Sequence, residues 1–408
     1  MNRLKNKKYI VLGLLTLVIA LTAGITSVSA CRPTHDFKEY SRWIDTNGQL
    51  YLDVKAKNYY SLGCLEGIEL SSKILGMKYS IQALALSYGI PYDYLIQLAS
   101  LYEPYIAEEY KEEMNGISDV LGDLNITYDD ILLQNCFIDI FYGQLTPQMS
   151  GNPLPPLEIG CTAIASKNKD KSITIGQNFD FAAFLHPTLS FVLHQIKGKT
   201  TIFSLRMGAM LGLPMGKNGN GVISTVTVIR SMVTGSIGVP STSRTRFAFE
   251  NSKTATEFNE YLWGENIPTS FNTIYADRKS NVIGTENIPN LSVIDEIQVG
   301  DYLIRSNTYI NDEFKPYLLD PLYSIERHEK ASELVESSFS DNILSLCELI
   351  HILQYNDGTA ASITRKDSID PQEPQTGAFM GCRSRKCNNF GFFGIGNPLD
   401  NALGIVPL

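Results

Sequence analysis

The sequence predicts an α+β protein in which helices cover antiparallel sheets. Three observations support this fold class. In residues 37–150, apolar residues recur at steps of three and four, which is typical of helices that pack through one face. From Cys161 onward the period changes to two, which is typical of half-buried strands. Further helical stretches then interrupt the strands, so we expect a helical front part followed by a strand-rich part with interspersed helices.

The first 30 residues form a separate unit, because basic residues precede an apolar run over residues 9–25. Small residues follow that run and lead directly to Cys31, an arrangement typical of a secretory signal and similar to a bacterial lipobox. We therefore expect an extracytoplasmic protein that is secreted or anchored to a membrane as a lipoprotein through lipidated Cys31. Ordinary signal-peptidase cleavage after Ala30 is the alternative.

The helical part has two long periodic stretches, LGCLEGIELSSKILGMKYSIQALALSYG and LIQLASLYEPYIAEEYKEEMNGISDVLG. After them, Thr127 and Asp130 fit a capping box ahead of another apolar run. The stretch QMSGNPLPPLEIG is rich in Gly and Pro, and it predicts a linker.

The strand-like segments after the linker are CTAIAS, SITIGQNFDF, SFVLHQI, TIFSLRM, GVISTVTVI, FNTIYADRK, NVIGTEN and DYLIRSN. KNKDK separates the first two segments and predicts a hairpin turn. Helices are predicted again over residues 254–262, over 324–338, and from near Ser340.

Composition excludes several classes of function. The net charge is -9 and no basic stripe is present, so no nucleic-acid partner is expected. The seven cysteines are mostly scattered, which is not typical of a disulfide scaffold; only Cys382 and Cys387 are close enough to suggest a local bridge. No cluster has metal-ligand spacing and no glycine-rich loop fits a phosphate, so neither a metal nor a cofactor is expected.

The hairpin that opens at Cys161 brings reactive groups together. With its turn centred near residue 169, Cys161 is expected opposite Gln177 or Asn178, and Asp180 just beyond the strand end. If the Gly160–Cys161 bond is cut, Cys161 becomes an N-terminal residue whose α-amine can act as the base for its own thiol. Gly160 carries no side chain that would crowd the attack, and the carboxylate of Asp180 can hold the amine.

At these residues the sequence resembles a known family. GCTAI followed by GQNFDF is similar to the start of the mature catalytic chain in the acyl-coenzyme A:6-aminopenicillanate (isopenicillin N) acyltransferase family, which is related to choloylglycine hydrolase and acid ceramidase among the autoproteolytic N-terminal-nucleophile (Ntn) hydrolases. The resemblance covers nearly all of residues 40–408, through LGCLEGIEL, GKNGNGV, IRSNTY, YSIERHEKASELV and FFGIGNPLDNALGIVPL.

The resemblance implies a four-layer αββα Ntn hydrolase sandwich with a helical N-terminal pro-segment. It divides the chain into a signal peptide at 1–30, a pro-segment or α-chain at 31–160, and a catalytic β-chain at 161–408. The pro-segment is expected to stay bound to the catalytic chain after cleavage.

The resemblance also implies roles for individual residues. Cys161 would be the nucleophile and, through its amine, the base, while Asp180 would orient that amine. Asn307 would donate a hydrogen bond to the oxyanion, where negative charge builds up during the attack. Asn218 would line the pocket or the oxyanion hole, and Arg327 would be a structural or substrate-facing cation.

Three positions depart from the family pattern. Gln177 stands where choloylglycine hydrolases have Arg, which favours the acyltransferase branch; Gln177 and Asn178 are the predicted substrate-binding residues. Thr308 follows Asn307 where His is frequent, and DGTAASITRKDS lacks a His that the family often has there.

We therefore expect an amidase or acyltransferase that acts on a linear amide (C–N) bond of a small N-acyl substrate through a thioester. An acidic, extracytoplasmic protein is poorly suited to coenzyme A, so hydrolysis is favoured over acyl transfer. One alternative is a papain-like cysteine peptidase that pairs Cys161 with His328 or His351. Another is a non-catalytic surface lipoprotein that binds a ligand.

Overall fold

A computed structural model describes residues 38–148, 160–289, 291–319, 323–366, 373–385 and 388–407. The predicted signal segment with Cys31, most of the predicted linker, and Cys387 of the suggested bridge lie outside these ranges. Within them, no helix has the length and apolar character needed to span a membrane.

The front part begins with a hairpin, where the sequence analysis predicted mainly helix. Its strands are β1 (Tyr40–Thr46) and β2 (Gln49–Ala56). Asn47 and Gly48 connect them with φ values of 57° and 82°. An Asn-Gly pair suits this left-handed two-residue turn, because Gly adopts positive φ without strain and Asn tolerates it. The hairpin therefore had a local signal, the Asn-Gly dipeptide.

Helices fill the rest of the front part as predicted. They are α1 (Tyr59–Glu69), α2 (Ser71–Tyr88), α3 (Tyr92–Ser100), α4 (Glu108–Leu121) and α5 (Tyr128–Ile138). The predicted capping box is confirmed, since the Thr127 side chain accepts from Asp130 N and the Asp130 side chain accepts from Thr127 N. A π-helical segment, Asp139–Leu145, continues α5 toward the linker.

The strand-rich part forms most of two sheets. Its strands are β3 (Thr162–Lys167), β4 (Ile173–Ala182), β5 (Leu189–Ile196), β6 (Ile202–Met207), β7 (Gly216–Asn218), β8 (Ile223–Val228), β9 (Phe271–Ala276), β10 (Val282–Ile288), β11 (Leu291–Glu296), β12 (Asp301–Arg305), β13 (Pro374–Arg385), β14 (Asn388–Ile395) and β15 (Gly404–Ile405). Its helices are α6 (Ser241–Asn251), α7 (Ala255–Leu262), α8 (Ser324–Ser338) and α9 (Leu346–Leu353).

Across the described ranges, one sheet has nine strands in the order β1-β2-β5-β6-β7-β8-β9-β10-β11. The other has six strands in the order β12-β3-β4-β13-β14-β15. Their strand pairs are antiparallel except for β2 with β5, which are parallel. The front hairpin therefore completes one edge of the larger sheet.

The two sheets pack face to face between helical layers. Strands β3 and β4 of the smaller sheet contact β8 of the larger one, and α8 and α9 cover the outer face of the smaller sheet. Helices α1, α6 and α7 cover the larger sheet on its other side. This arrangement confirms the predicted α+β fold with four αββα layers.

Two local predictions need correction. Thr162 pairs with Asn178, so Cys161 lies across from Phe179 rather than Gln177 or Asn178, and Asp180 lies inside β4 rather than beyond it. The last predicted helix starts at Leu346, not near Ser340. Asn342, at φ 60°, cannot continue a helix, and a capping box formed by Ser345 and Glu348 starts α9.

A buried ionic cluster joins the front helices to the strand-rich part. Glu113 of α4 pairs with Arg206 of β6 and Arg246 of α6, each at 3.1 Å. Arg206 also pairs with Glu66 of α1, and Arg246 pairs with Glu250 at 2.7 Å. Each of these side chains is at most 2% exposed, so each charge depends on its partners for compensation.

Candidate active site

Cys161 lies immediately before β3 and its side chain faces the space between the sheets. It belongs to the inter-sheet core together with Ala163 and Ala165, whereas Ile164 points to the layer of α8 and α9. This alternation follows from the period of two along a strand. The thiol is therefore fully buried between the sheets, at the end of an inner strand of the smaller sheet.

The Cys161 thiol donates to the backbone carbonyl of Asp180, with an Sγ–O distance of 3.6 Å. Burial, with a smaller contribution from the Asp180 carboxylate, raises the pKa of the thiol to about 12. Arg327 and the Asn307 side chain act in the opposite direction because both favour a thiolate. In the intact chain the sulfur is thus protonated near neutral pH, and its proton must pass to another atom as it attacks.

Asp180 carries a carboxylate with one satisfied and one unsatisfied oxygen. Its Oδ1 accepts from Thr376 Oγ1 at 2.7 Å, while Oδ2 is buried and has no hydrogen-bond partner in the part of the chain that the structure describes. A Cβ placed on Gly160 would lie 3.1 Å from Oδ2, so this oxygen is beside the peptide that precedes Cys161. Burial raises the pKa of Asp180 to about 6, against opposing effects of Arg327 and Arg365.

Arg327, in the first turn of α8, binds the backbone on both sides of the Gly160–Cys161 bond. Its Nη1 donates to Gly160 O at 2.5 Å, to Cys161 O at 2.7 Å and to Thr162 Oγ1 at 3.1 Å. Burial lowers its pKa to about 10, so the guanidinium stays charged at neutral pH. The sequence predicted a cation here without specifying these contacts.

Asn307 follows β12 and is brought to the same place. Its Nδ2 donates to Val228 O at 2.8 Å, at the end of β8, and its Oδ1 accepts from Arg327 Nη2 at 3.1 Å. The Asn307 side chain also lowers the pKa of the Cys161 thiol. The structure therefore gathers Cys161, Asp180, Asn307 and Arg327 around one peptide bond.

The two predicted substrate-binding residues make structural contacts on opposite faces of β4. Gln177 reaches across to the larger sheet, where Nε2 donates to Val226 O at 2.5 Å and Oε1 accepts from Val226 N at 2.8 Å. Asn178 points to the helical layer and donates to Leu353 O at 2.8 Å. A role in substrate binding stays a prediction for both residues.

Asn218 is not brought to Cys161. Its side chain donates to Phe249 O at 2.8 Å and accepts from Val222 N at 2.9 Å, which fixes the turn between β7 and β8. That turn lies before β8, whereas Asn307 binds the last residue of β8. The two ends of β8, Ile223 and Val228, are five residue steps apart, or about 17 Å at about 3.3 Å per residue. A role for Asn218 in the pocket stays a prediction without a contact that supports it.

Arg365 and Thr376 belong to this site, and sequence reasoning missed both. Arg365 lies beside Gly160, since a Cβ on Gly160 would be 3.2 Å from Arg365 Nη1. That Nη1 is buried without a hydrogen-bond partner among the described residues. Thr376 Oγ1 accepts from Arg365 N at 3.0 Å and donates to Asp180, so it connects the two charged groups. The only local signal was the basic character of SITRKDS.

The histidines of the peptidase alternative are not hydrogen-bonded to Cys161 in the described part of the chain. His351 is exposed on α9, on the outer side of the smaller sheet, while the thiol faces its inner side. His328 is next to Arg327 on α8, and burial lowers its pKa to about 4. Within the same ranges, no cluster of His, Cys, Asp and Glu could hold a metal ion.

Two face-to-face sheets between helical layers are the architecture of the Ntn hydrolases. Residues 166–373, just over half of the chain, match the model of the acyl-coenzyme A:6-aminopenicillanic acid acyl-transferase family. The chain belongs to this family. The matched range includes Asp180, Asn307, Arg327 and Arg365 and begins after Cys161.

A relative from Archaeoglobus fulgidus, described as an uncharacterized protein, is 25% identical over 246 residues, which are 56% of this chain and 40% of that protein's length. Similar solved structures include a Caenorhabditis elegans ortholog of N-acylethanolamine-hydrolyzing acid amidase, with 17% identity, a TM-score of 0.39, and coverage of 54% of this chain and 92% of that one. A variant conjugated bile acid hydrolase from Clostridium perfringens has 13% identity, a TM-score of 0.40, and coverage of 61% and 97%. Penicillin V acylase from Agrobacterium tumefaciens has 12% identity, a TM-score of 0.38, and coverage of 58% and 83%.

Proposed function

We propose that this chain is an exported enzyme that cuts its own Gly160–Cys161 bond and then uses Cys161 to hydrolyse a linear amide of an N-acyl substrate. The observation that carries the proposal is the contact between Arg327 Nη1 and Gly160 O. A buried cation on the carbonyl oxygen of one peptide bond stabilises the negative charge that develops there when a nucleophile attacks. The nucleophile that is available to this carbonyl is the thiol of the next residue.

Self-cleavage balances with water as the only other reactant. The Cys161 sulfur attacks the carbonyl carbon of Gly160, and the carbonyl oxygen becomes an oxyanion held by Arg327. The thiol proton passes to the Cys161 nitrogen, the C–N bond breaks, and a thioester remains. Water then adds to the thioester, the C–S bond breaks, and sulfur recovers a proton. The products are a Gly160 carboxylate and a Cys161 with a free thiol and a free α-amine.

Asp180 supports the second stage of the proposal. Its unsatisfied oxygen, Oδ2, lies beside the peptide that would be cut, so an ammonium formed on Cys161 would provide the missing partner. An α-amine with an ordinary pKa of about 7.7–8.0 is well matched to take up the thiol proton near neutral pH. This amine would provide a base for the buried thiol, which is hydrogen-bonded to no histidine in the described part of the chain.

Turnover then repeats the same chemistry on an external amide. The Cys161 amine accepts the thiol proton, sulfur attacks the acyl carbon, and Asn307 Nδ2 binds the oxyanion. The leaving amine takes the proton, and water hydrolyses the acyl thioester. Hydrolysis is proposed over acyl transfer because an exported enzyme meets water rather than a coenzyme A donor. Anchoring through lipidated Cys31 is part of the proposal and rests on the sequence alone.

Intact-mass spectrometry of the purified chain from Cys31 onward tests the proposal, beside a Cys161→Ala variant. We expect two fragments from the native chain, the second beginning at Cys161, and one uncut chain from the variant. The cleaved protein is then offered a panel of fluorogenic N-acyl amides, with Cys161→Ala as the control. An uncut native chain that hydrolyses none of the panel refutes the proposal and favours the ligand-binding lipoprotein.

A further inference from the structure

Three buried polar side chains form a row across neighbouring strands of the larger sheet. Thr227 on β8, Asn272 on β9 and Glu286 on β10 lie directly opposite one another in register. All three are at most 1% exposed. A polar row in a sheet that is covered on both sides needs hydrogen-bond partners, because each unpaired group costs free energy. The partners are in the segment that carries Asn307.

Asn272 holds the backbone carbonyls of the two residues that flank Asn307, Ser306 and Thr308. Its Nδ2 donates to Ser306 O at 3.0 Å and to Thr308 O at 2.7 Å. One amide group therefore binds the carbonyls immediately before and after Asn307, which fixes the backbone from which the Asn307 side chain projects. Both hydrogens of the Asn272 amide nitrogen are used in this contact.

The other two members of the row hold the same segment at its ends. Thr227 Oγ1 donates to Ser306 O at 2.7 Å. The Glu286 carboxylate accepts from Ile310 N at 3.0 Å and from Asn311 N at 2.9 Å. Side chains from three strands thus bind the segment at residues 306, 308, 310 and 311, with Asn272 at the centre of the row.

We propose that Asn272 is a positioning residue that acts through Asn307. Asn307 lies between Val228 O and the Arg327 guanidinium, and Arg327 in turn binds Gly160 O. A shift of the Asn307 backbone would therefore move both the amide that binds the oxyanion in turnover and the partner that orients Arg327 in self-cleavage. A displacement of about 1 Å in such a site can cost about a hundredfold in rate. The inference rests on the proposed function.

A double-mutant cycle on self-cleavage separates positioning from simple stabilisation. The chains are the native protein, Asn272→Ala, Asn307→Ala and the double variant, each followed by intact mass over time after synthesis. We expect Asn272→Ala to slow cleavage by about tenfold to a hundredfold. In the Asn307→Ala background the same change should have no further effect, because the group it positions is absent.

Asn287→Ala is the matched control. Asn287 is an equally buried asparagine on β10 whose side chain accepts from Phe271 N at 2.8 Å and makes no hydrogen bond with residues 306–308 in the described chain. We expect this variant to cleave at the native rate, even though it also loses a buried hydrogen bond. Thermal unfolding of all five chains shows whether any loss of rate follows stability instead.

Asn272→Asp adds a readout that a structural role would not reproduce. An ionised carboxylate has no hydrogen for Ser306 O or Thr308 O, whereas a protonated one can donate to one of them. The cleavage rate of this variant relative to the native chain should therefore rise as pH falls.

Equal losses from Asn272→Ala in both backgrounds, or a native rate in Asn272→Ala, refute the positioning role while leaving the proposed function intact. A native chain that does not cut itself refutes the proposed function instead.

Discussion

Replacing Arg327 by glutamine should cost more transition-state stabilisation in self-cleavage than free energy of unfolding. Arg327 Nη1 contacts Gly160 O at 2.5 Å and Cys161 O at 2.7 Å, and its Nη2 contacts Asn307 and Ser324. A neutral glutamine has a shorter side chain, carries no charge, and cannot span these partners. Loss of one preorganised oxyanion donor costs about 10²–10³ in rate, or about 2.7–4 kcal/mol of transition-state stabilisation. We expect Arg327→Gln to slow cleavage within that range.

Cell-free synthesis followed by a chase provides the assay, because cleavage can be followed from the moment the chain is complete. The cut and uncut masses give the rate constant. Arg327→Lys keeps the charge but offers only three donors from one nitrogen, so it should cleave faster than the glutamine variant and more slowly than the native chain.

Arg244→Gln controls for the loss of a buried guanidinium. Arg244 also donates to backbone carbonyls, those of Val239 at 2.9 Å and Asn266 at 3.0 Å, and it does not touch the Gly160–Cys161 peptide. Both glutamine variants should lose stability, and only Arg327→Gln should lose cleavage. If the two glutamine variants cleave at similar rates, Arg327 does not stabilise the oxyanion on the Gly160 carbonyl.

Two further predictions concern buried charge. The uncut Cys161→Ala chain keeps the buried Asp180, and burial raises the pKa of this carboxyl from 3.8 to about 6. The folded chain therefore favours the protonated carboxyl. The stability that depends on this proton is fully present below about pH 4 and is lost as the pH rises through about 6. The free energy of unfolding of Cys161→Ala, relative to that of Cys161→Ala/Asp180→Asn, should fall by about 3 kcal/mol between pH 4 and 6. Urea unfolding of both variants from pH 4 to 8 measures this difference, and a difference that does not change with pH would contradict the prediction. Glu113→Ala should lower the free energy of unfolding by about 3–5 kcal/mol, because it leaves Arg206 and Arg246 without one of their buried partners. Glu108→Ala is the control. It removes an exposed carboxylate that pairs with Lys111, so it should change the free energy of unfolding by less than about 1 kcal/mol.

Local patterns were sufficient for eight strands, including the hairpin that carries Cys161 and Asp180, but β1, β2, β7, β11, β13, β14 and β15 were not predicted as strands. The change of period at Cys161 and the turn KNKDK are properties of a few adjacent residues, and only the register was wrong, by one to two positions. The start of α9 was missed because its cap depends on Ser345 and Glu348, while an earlier serine offered a similar local pattern. These errors concern boundaries, where competing local signals are nearly equal in energy.

The contacts that organise the site depend on residues far apart in the chain. Arg327 reaches Gly160 across 167 positions, and Asp180 reaches Thr376 across 196. No periodicity encodes such distances, so the sequence indicated a cation at 327 but neither its target nor the neighbouring Arg365. Asn218 illustrates a different limit, since a turn-forming asparagine resembles a site residue in sequence, and the hydrogen bonds of its side chain stabilise a turn.

The parallel pair of β2 and β5 has a consequence for what cleavage would release. The front hairpin contributes backbone to the ladder of the larger sheet, from Tyr51 opposite Phe191 to Ala56 opposite Ile196. Removal of the front fragment would leave β5 as a bare, strongly apolar edge, a surface that recruits other strands and promotes aggregation. Production of residues 161–408 alone is therefore expected to give insoluble material, and recombinant enzyme is best made as the full precursor.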